Sequence, residues 1–111
     1  MYEIFDLEKG KLKVLQRMSW EMAGEFECVC EDLIRAGGAF PEIDLSRAGP
    51  LSTPHVGIIM QTADRCSFYG RPLTLTVRPA QMPVFEATGF EKIGRLKVAA
   101  DAESLEAGAD A

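Results

Sequence analysis

The apolar positions of this chain change period along its length, and the changes mark out its elements. Val56, Ile59, Met60 and Ala63 fall at i, i+3, i+4 and i+7, the spacing of one helical face. The same spacing predicts a helix from Ser19 to Ala36, with Met22, Phe26, Val29, Cys30, Leu33 and Ile34 as its apolar stripe. Glu21, Glu25, Glu31, Asp32 and Arg35 lie mostly opposite, and Gly37-Gly38 ends the helix. Short runs bounded by glycine and proline read as strands. These are Tyr2–Asp6 and Lys11–Gln16, joined by a Glu8-Lys9-Gly10 turn, then Phe40–Leu45, Leu73–Val77 and Leu96–Ala99. Pro79–Thr88 reads as a short helix stopped by Gly89, with Pro83 in its first turn where it breaks no hydrogen bond. Asp101 can cap a final alanine-rich turn through Leu105, leaving 108–111 as a frayed tail.

The resulting order is β-β-α-β-α-β-α-β-α. Such alternation implies a single α/β domain over 1–107, with helices packed on a mixed, mostly parallel sheet. The segment from Glu42 to Gly57 stands out within it. An apolar strand carrying Phe40, Ile43 and Leu45 runs into a Gly49-Pro50 loop. That loop delivers two adjacent hydroxyls, Ser52 and Thr53, to the start of the helix that runs to about Tyr69. Pro54 suits the first helical position, and Thr53 is then the expected N-cap. A hydroxyl at that position is a cap first, but free N–H groups and the positive dipole end also tolerate a phosphate.

The same residues carry a family resemblance. Asp44-Leu45-Ser46, four loop residues, Leu51, two small polar residues, and then Val56 and Gly57 resemble the core of the STAS domain, which reads Asp-Leu-Ser-x-x-x-aliphatic-Asp-Ser-Ser-Gly-aliphatic-Gly. Gly70-Arg71-Pro72-Leu73-Thr74-Leu75 is similar to the family's Gly-x-x-Leu-x-Leu strand. Ala87-Thr88-Gly89-Phe90-Glu91-Lys92-Ile93 is similar to its Leu-x-Gly-Leu-x-x-aliphatic turn, and the resemblance spans roughly residues 11 to 107. It implies a STAS-like fold and a regulatory role like that of bacterial anti-sigma factor antagonists. The partner would be a serine/threonine-kinase-type anti-sigma factor, and transcription would be controlled by partner switching. Thr53, or else Ser52, would be the phosphoacceptor. Leu51, Ser52, Thr53, Pro54, His55 and Ile58 would face the partner. Three departures bear on this: Ser52 replaces the family's aspartate, Pro54 a second small residue, and His55 a glycine. They favour an alternative in which the chain is a constitutive accessory or scaffold subunit, of a lipid-transport ATPase or a stress-sensing assembly. In that case Thr53 is only a cap. Related modules also bind ligands between strand and loop, which leaves a small-molecule sensor as a third class.

Bulk properties narrow the choice. A net charge of −5 with scattered basic residues argues against a nucleic-acid or anionic-membrane surface. Lys9, Lys11 and Lys13 alternate along the hairpin as a solvated face. No stretch approaches the ~18 apolar residues of a membrane span, and the acidic start lacks a signal-peptide pattern, so a cytoplasmic protein is expected.

The three cysteines have no zinc spacing and there is one histidine, so neither a metal nor a cofactor is expected, and the thiols read as buried. Enzyme motifs and nucleophile–base spacings are missing, which points away from catalysis. His55 reads as a solvated residue on an exposed first turn, or else as a pH- or phosphate-sensing contact. Trp20 is either a lid on the core or an exposed anchor. Phe68-Tyr69 reads as core packing with a snorkelled phenol. The hairpin with Phe5 and Leu7 offers an edge that could pair with another chain.

Overall fold

A computed structural model of the protein describes residues 2–99. The strands are β1 (Phe5–Glu8), β2 (Lys11–Val14), β3 (Glu42–Asp44), β4 (Leu73–Val77) and β5 (Gly94–Val98). The helices are α1 (Ala23–Ala36), α2 (Thr53–Phe68) and α3 (Met82–Ala87), with single 3-10 turns at Trp20–Met22, Pro79–Gln81 and Phe90–Lys92. One sheet holds all five strands in the order β1-β2-β3-β4-β5. β1 is antiparallel to β2, and the remaining pairings are parallel. This is the mixed, mostly parallel α/β arrangement expected from the alternating pattern. The final turn expected at Asp101–Leu105 and the tail 108–111 lie outside the described residues.

Register explains the layering. Strand side chains alternate between faces, and residues paired across strands share a face. Phe5, Leu12, Val14, Ile43, Leu73, Leu75 and Val77 are all buried and fall on one face. The other face carries two polar rows: Glu8, Lys11, Glu42, Thr74 and Arg95, then Asp6, Lys13, Asp44, Thr76 and Lys97. Charges of opposite sign sit opposite one another across β1, β2 and β3, which stabilises the pairing. Lys11 Nζ lies 3.5 Å from Glu42 Oε2, which also accepts from Thr76 Oγ1 at 2.8 Å. The three parallel crossovers all advance in the same direction, so right-handed connections put their helices on the apolar face. There α1 and α2 pack together, and Arg65 on α2 reaches both carboxylate oxygens of Glu31 on α1.

Several element ends differ from the sequence reading. β1 starts three residues later than expected, at Phe5 opposite Val14, and runs on to Glu8, because the hairpin turns only at Lys9 and Gly10, both with positive φ (53° and 78°). That is the two-residue turn whose twist matches antiparallel strands. Phe40 is not a strand residue; it is 85% exposed, and β3 begins after Pro41. Ser19 precedes a 3-10 turn, and α1 proper begins at Ala23. The Pro79–Thr88 helix splits into a 3-10 turn and α3, with Pro83 in the first turn of α3 as expected. β5 begins at Gly94, two residues before the expected Leu96. Gly94 is required because a Cβ there would stand 2.5 Å from the Phe90 ring and 2.7 Å from the Leu73 carbonyl.

Candidate functional site

The segment between β3 and α2 is pinned at every turn. Asp44 Oδ1 accepts from the Ser46 amide at 2.9 Å and from its hydroxyl at 2.7 Å, closing an Asx turn off the strand. The Leu45 amide donates to the Thr76 carbonyl at 2.8 Å, and Ala48 donates back to Leu45 at 2.9 Å. Gln81 is buried and its side-chain amide donates to two carbonyls of the segment, Leu45 at 2.9 Å and Gly49 at 2.8 Å. Arg78 Nε donates to the Ser46 carbonyl. The chain therefore reaches α2 in one defined path.

At the start of α2 the cap is Ser52, with extended backbone (φ −82°, ψ 163°), and Thr53 is the first helical residue. The expected cap at Thr53 is thus corrected by one position, and Pro54 is the second helical residue. The Ser52 hydroxyl caps no amide. It lies 2.9 Å from His55 Nδ1 instead. Thr53 and Pro54 are exposed, while Leu51, Ser52 and Ile58 are half-buried.

His55 overturns its solvated reading: it has no exposed surface. The third position of the helix turns inward here, and the ring meets Phe26 of α1 edge-on, with centroids 5.8 Å apart and planes at 87°. Its Nε2 is buried without a hydrogen-bond partner. Burial lowers the ring's pKa from the ordinary histidine value. The Ser19 main chain exerts a smaller opposing pull without closing a hydrogen bond to Nε2.

The surroundings suit a docking surface. α2 has sixteen residues and no acidic side chain in its first turn, so the positive end of its dipole is uncompensated. Beside it lies an open groove of about 370 Å³ lined by Arg17, Met18, Trp20, Pro50, Leu51 and Ser52. Trp20 is 70% exposed, which settles its two readings in favour of the exposed one. Sequence reasoning had not placed Trp20 beside Leu51 and Ser52, and it had missed Gln81. A signal for Gln81 was present: a proline-opened turn with glutamine at its third position is half of a capping box, and Gln81 Oε1 does accept from the Arg78 amide at 2.8 Å.

Other expectations are also corrected. Phe68 is 86% exposed and Tyr69 55% exposed, so this pair is not core. The rings meet each other edge-on at 5.5 Å at the far end of α2. Of the cysteines, Cys30 and Cys66 are buried but Cys28 is exposed. Burial pushes the Cys30 thiol up to about 12. Among the described residues, no three His, Cys, Asp or Glu side chains group as metal ligands would, and no helix is long and apolar enough to cross a membrane.

No family model matches the sequence, and no curated protein matches it either. Solved structures do match its shape. The crystal structure of a candidate anti-sigma factor antagonist from Thermotoga maritima superposes with a TM-score of 0.68 over 92% of this chain and 90% of that one, at 16% identity. An NMR structure of the protein TM1081 gives 0.66 over 94% and 88%, at 14% identity. The fold is STAS-like. Within this STAS-like fold the β3–α2 segment carries the Asp44-Leu45-Ser46 motif, and that motif builds the Asx turn leading to Ser52 and Thr53.

Proposed function

We propose that this chain is a non-enzymatic, cytoplasmic STAS-type regulatory module that binds a serine/threonine-kinase-type anti-sigma factor at the N-terminal end of α2. The observation that carries this reading is Thr53. Its hydroxyl is exposed on the first residue of a helix whose dipole end is uncompensated, and the half-buried Leu51 and Ile58 lie on either side of it in the chain. Phosphate on Thr53 adds about −1.5 to −2 charge at neutral pH where the helix end tolerates it. The fold is retained while an acidic or neutral partner groove is repelled, so the modification acts as a release switch.

Pro54 favours a second reading, in which the module is a constitutive accessory or scaffold subunit. As the second helical residue it lacks an N–H that could contact a phosphate on Thr53.

Capture from cells of the source organism separates the two, with wild type and Thr53→Glu as parallel baits and mass spectrometry for partners and phosphosites. A kinase-type anti-sigma factor held by wild type and lost with Thr53→Glu, with phosphate on Thr53, supports the switch. Identical transporter or scaffold partners on both baits, without phosphate, support the constitutive subunit and overturn the switch.

A further inference from the structure

Two hydroxyls stand side by side at the start of α2, and the structure treats them differently. Ser52 is half-buried with its Oγ 2.9 Å from His55 Nδ1, whereas Thr53 is exposed. His55 itself is fully buried, packed on Phe26, with Nε2 unpartnered. Among the described residues, the ring meets Phe26 from α1, the main chain of Ser19 ahead of α1, and Ser52 from the start of its own helix, and none of these is charged. Burial is the chief cause that lowers its pKa.

We propose that His55 is the specificity-determining residue of this helix end: it withholds the Ser52 hydroxyl, leaves Thr53 as the one on offer, and couples a negative charge at position 52, but not at 53, to the packing beneath α2. The inference rests on the reading of this helix end as a switch, but its test does not need the partner.

The physical argument is one of stakes. A buried imidazole with a single hydrogen bond is stable while neutral, and a proton on it would face the positive end of the helix with no counter-charge. The Ser52–His55 contact therefore holds the hydroxyl and the ring together. A phosphate ester at Ser52 removes the hydroxyl proton and sets a dianion against Nδ1, which favours a protonated ring in the same place. At Thr53 the side chain points to solvent, where charge is screened.

The protein has one histidine, so its ring carbon and proton resonances are unambiguous by NMR. The experiment is an NMR pH titration of His55 in wild type, Ser52→Ala, Ser52→Asp and Thr53→Asp. Wild type and Thr53→Asp are expected to titrate together, below the ordinary histidine value of about 6.5. Ser52→Asp is expected to titrate higher than both, because its carboxylate faces Nδ1. Ser52→Ala is expected to change the ring shifts already at neutral pH, as the hydrogen bond is lost. Wild-type titration at the ordinary value, or equal responses to Asp at 52 and 53, would overturn the proposal. Should Ser52→Asp fail to fold, circular dichroism of the two Asp variants carries the coupling: loss of the fold with Asp at 52 and its retention with Asp at 53 supports it, and loss with both overturns it. The titrations can succeed while the capture experiment finds no switch, so the two ideas fail separately.

Discussion

Gln81 donates its side-chain amide to the Leu45 carbonyl at 2.9 Å, joining the start of α3 to the end of β3 across thirty-six positions of chain. A second bond to Gly49 makes this buried side chain the clasp of the segment that presents Ser52 and Thr53.

Gln81→Ala leaves both carbonyls without that donor. A buried group stripped of its partner costs about 1–3 kcal/mol, and for a domain of this size each kcal/mol lowers Tm by about 4–8 °C. Urea and thermal unfolding check the loss. Stability within about 0.5 kcal/mol of wild type, the range of an inert surface change, would show that the clasp does not hold the segment.

Gly57 sits one turn below Thr53 on the exposed side of α2, with nothing within 4 Å of where a Cβ would stand. Gly57→Ala is therefore expected to stabilise the protein by about 0.5–1 kcal/mol, as alanine does in a helix interior. The proposed docking side predicts the opposite effect on partner capture, which should weaken while stability rises. Unchanged capture would move the interface off this side of the helix.

His55 makes stability depend on pH in a defined window. Its folded pKa lies below the unfolded value of 6.5, so the unfolded chain takes up the proton first. Stability is full above about pH 6.5, declines as pH falls toward the folded value, and then levels off with respect to this group. Glu31, held below its ordinary value chiefly by its hydrogen bond to Arg65, acts in the same direction but only at lower pH. Thermal melts at about pH 7.5 and pH 5.5 should therefore separate in wild type and converge in His55→Asn, which keeps a polar atom near Nδ1 but does not titrate. Equal separation in both would assign the effect elsewhere.

The thiols report burial directly. A disulfide-exchange reagent should label one thiol of the native protein, Cys28, and all three once it is unfolded. Cys30 resists because desolvation by burial pushes its pKa up to about 12 and leaves almost no thiolate. Three fast-reacting thiols in the native state would contradict the packing of α1 against α2.

Much of the fold was legible because its signals are local. The period of the apolar residues in α1 and α2, the glycine ending at Gly37 and the alternation in β4 each follow from a few adjacent residues. The Asp44-Leu45-Ser46 spacing marked the segment that turns off β3 in the same way, through the Asx turn that Asp44 and Ser46 close. Where local signals competed, the reading slipped. Phe40 reads as strand because it is aromatic and precedes Pro41, yet the chain turns beside it and leaves it in solvent. Phe68 falls at helical spacing with the exposed Gly57, Gln61 and Asp64, on the side of α2 away from the core, and Tyr69 ends the helix beside it, so an aromatic pair that reads as core is exposed.

The sequence alone determined the order of elements, the mixed sheet and the arrival of two hydroxyls at the start of α2, because hydrophobic period, turn chemistry and helix-end preferences act over a few residues. Only the tertiary structure decided what those hydroxyls meet. Whether His55 points to water or onto Phe26 depends on how α1 crosses α2, and whether Gln81 clasps Leu45 depends on the register of β3 with β4. Those contacts join residues about thirty positions apart, and their free energy comes from burial and hydrogen bonds that exist only once the layers have packed.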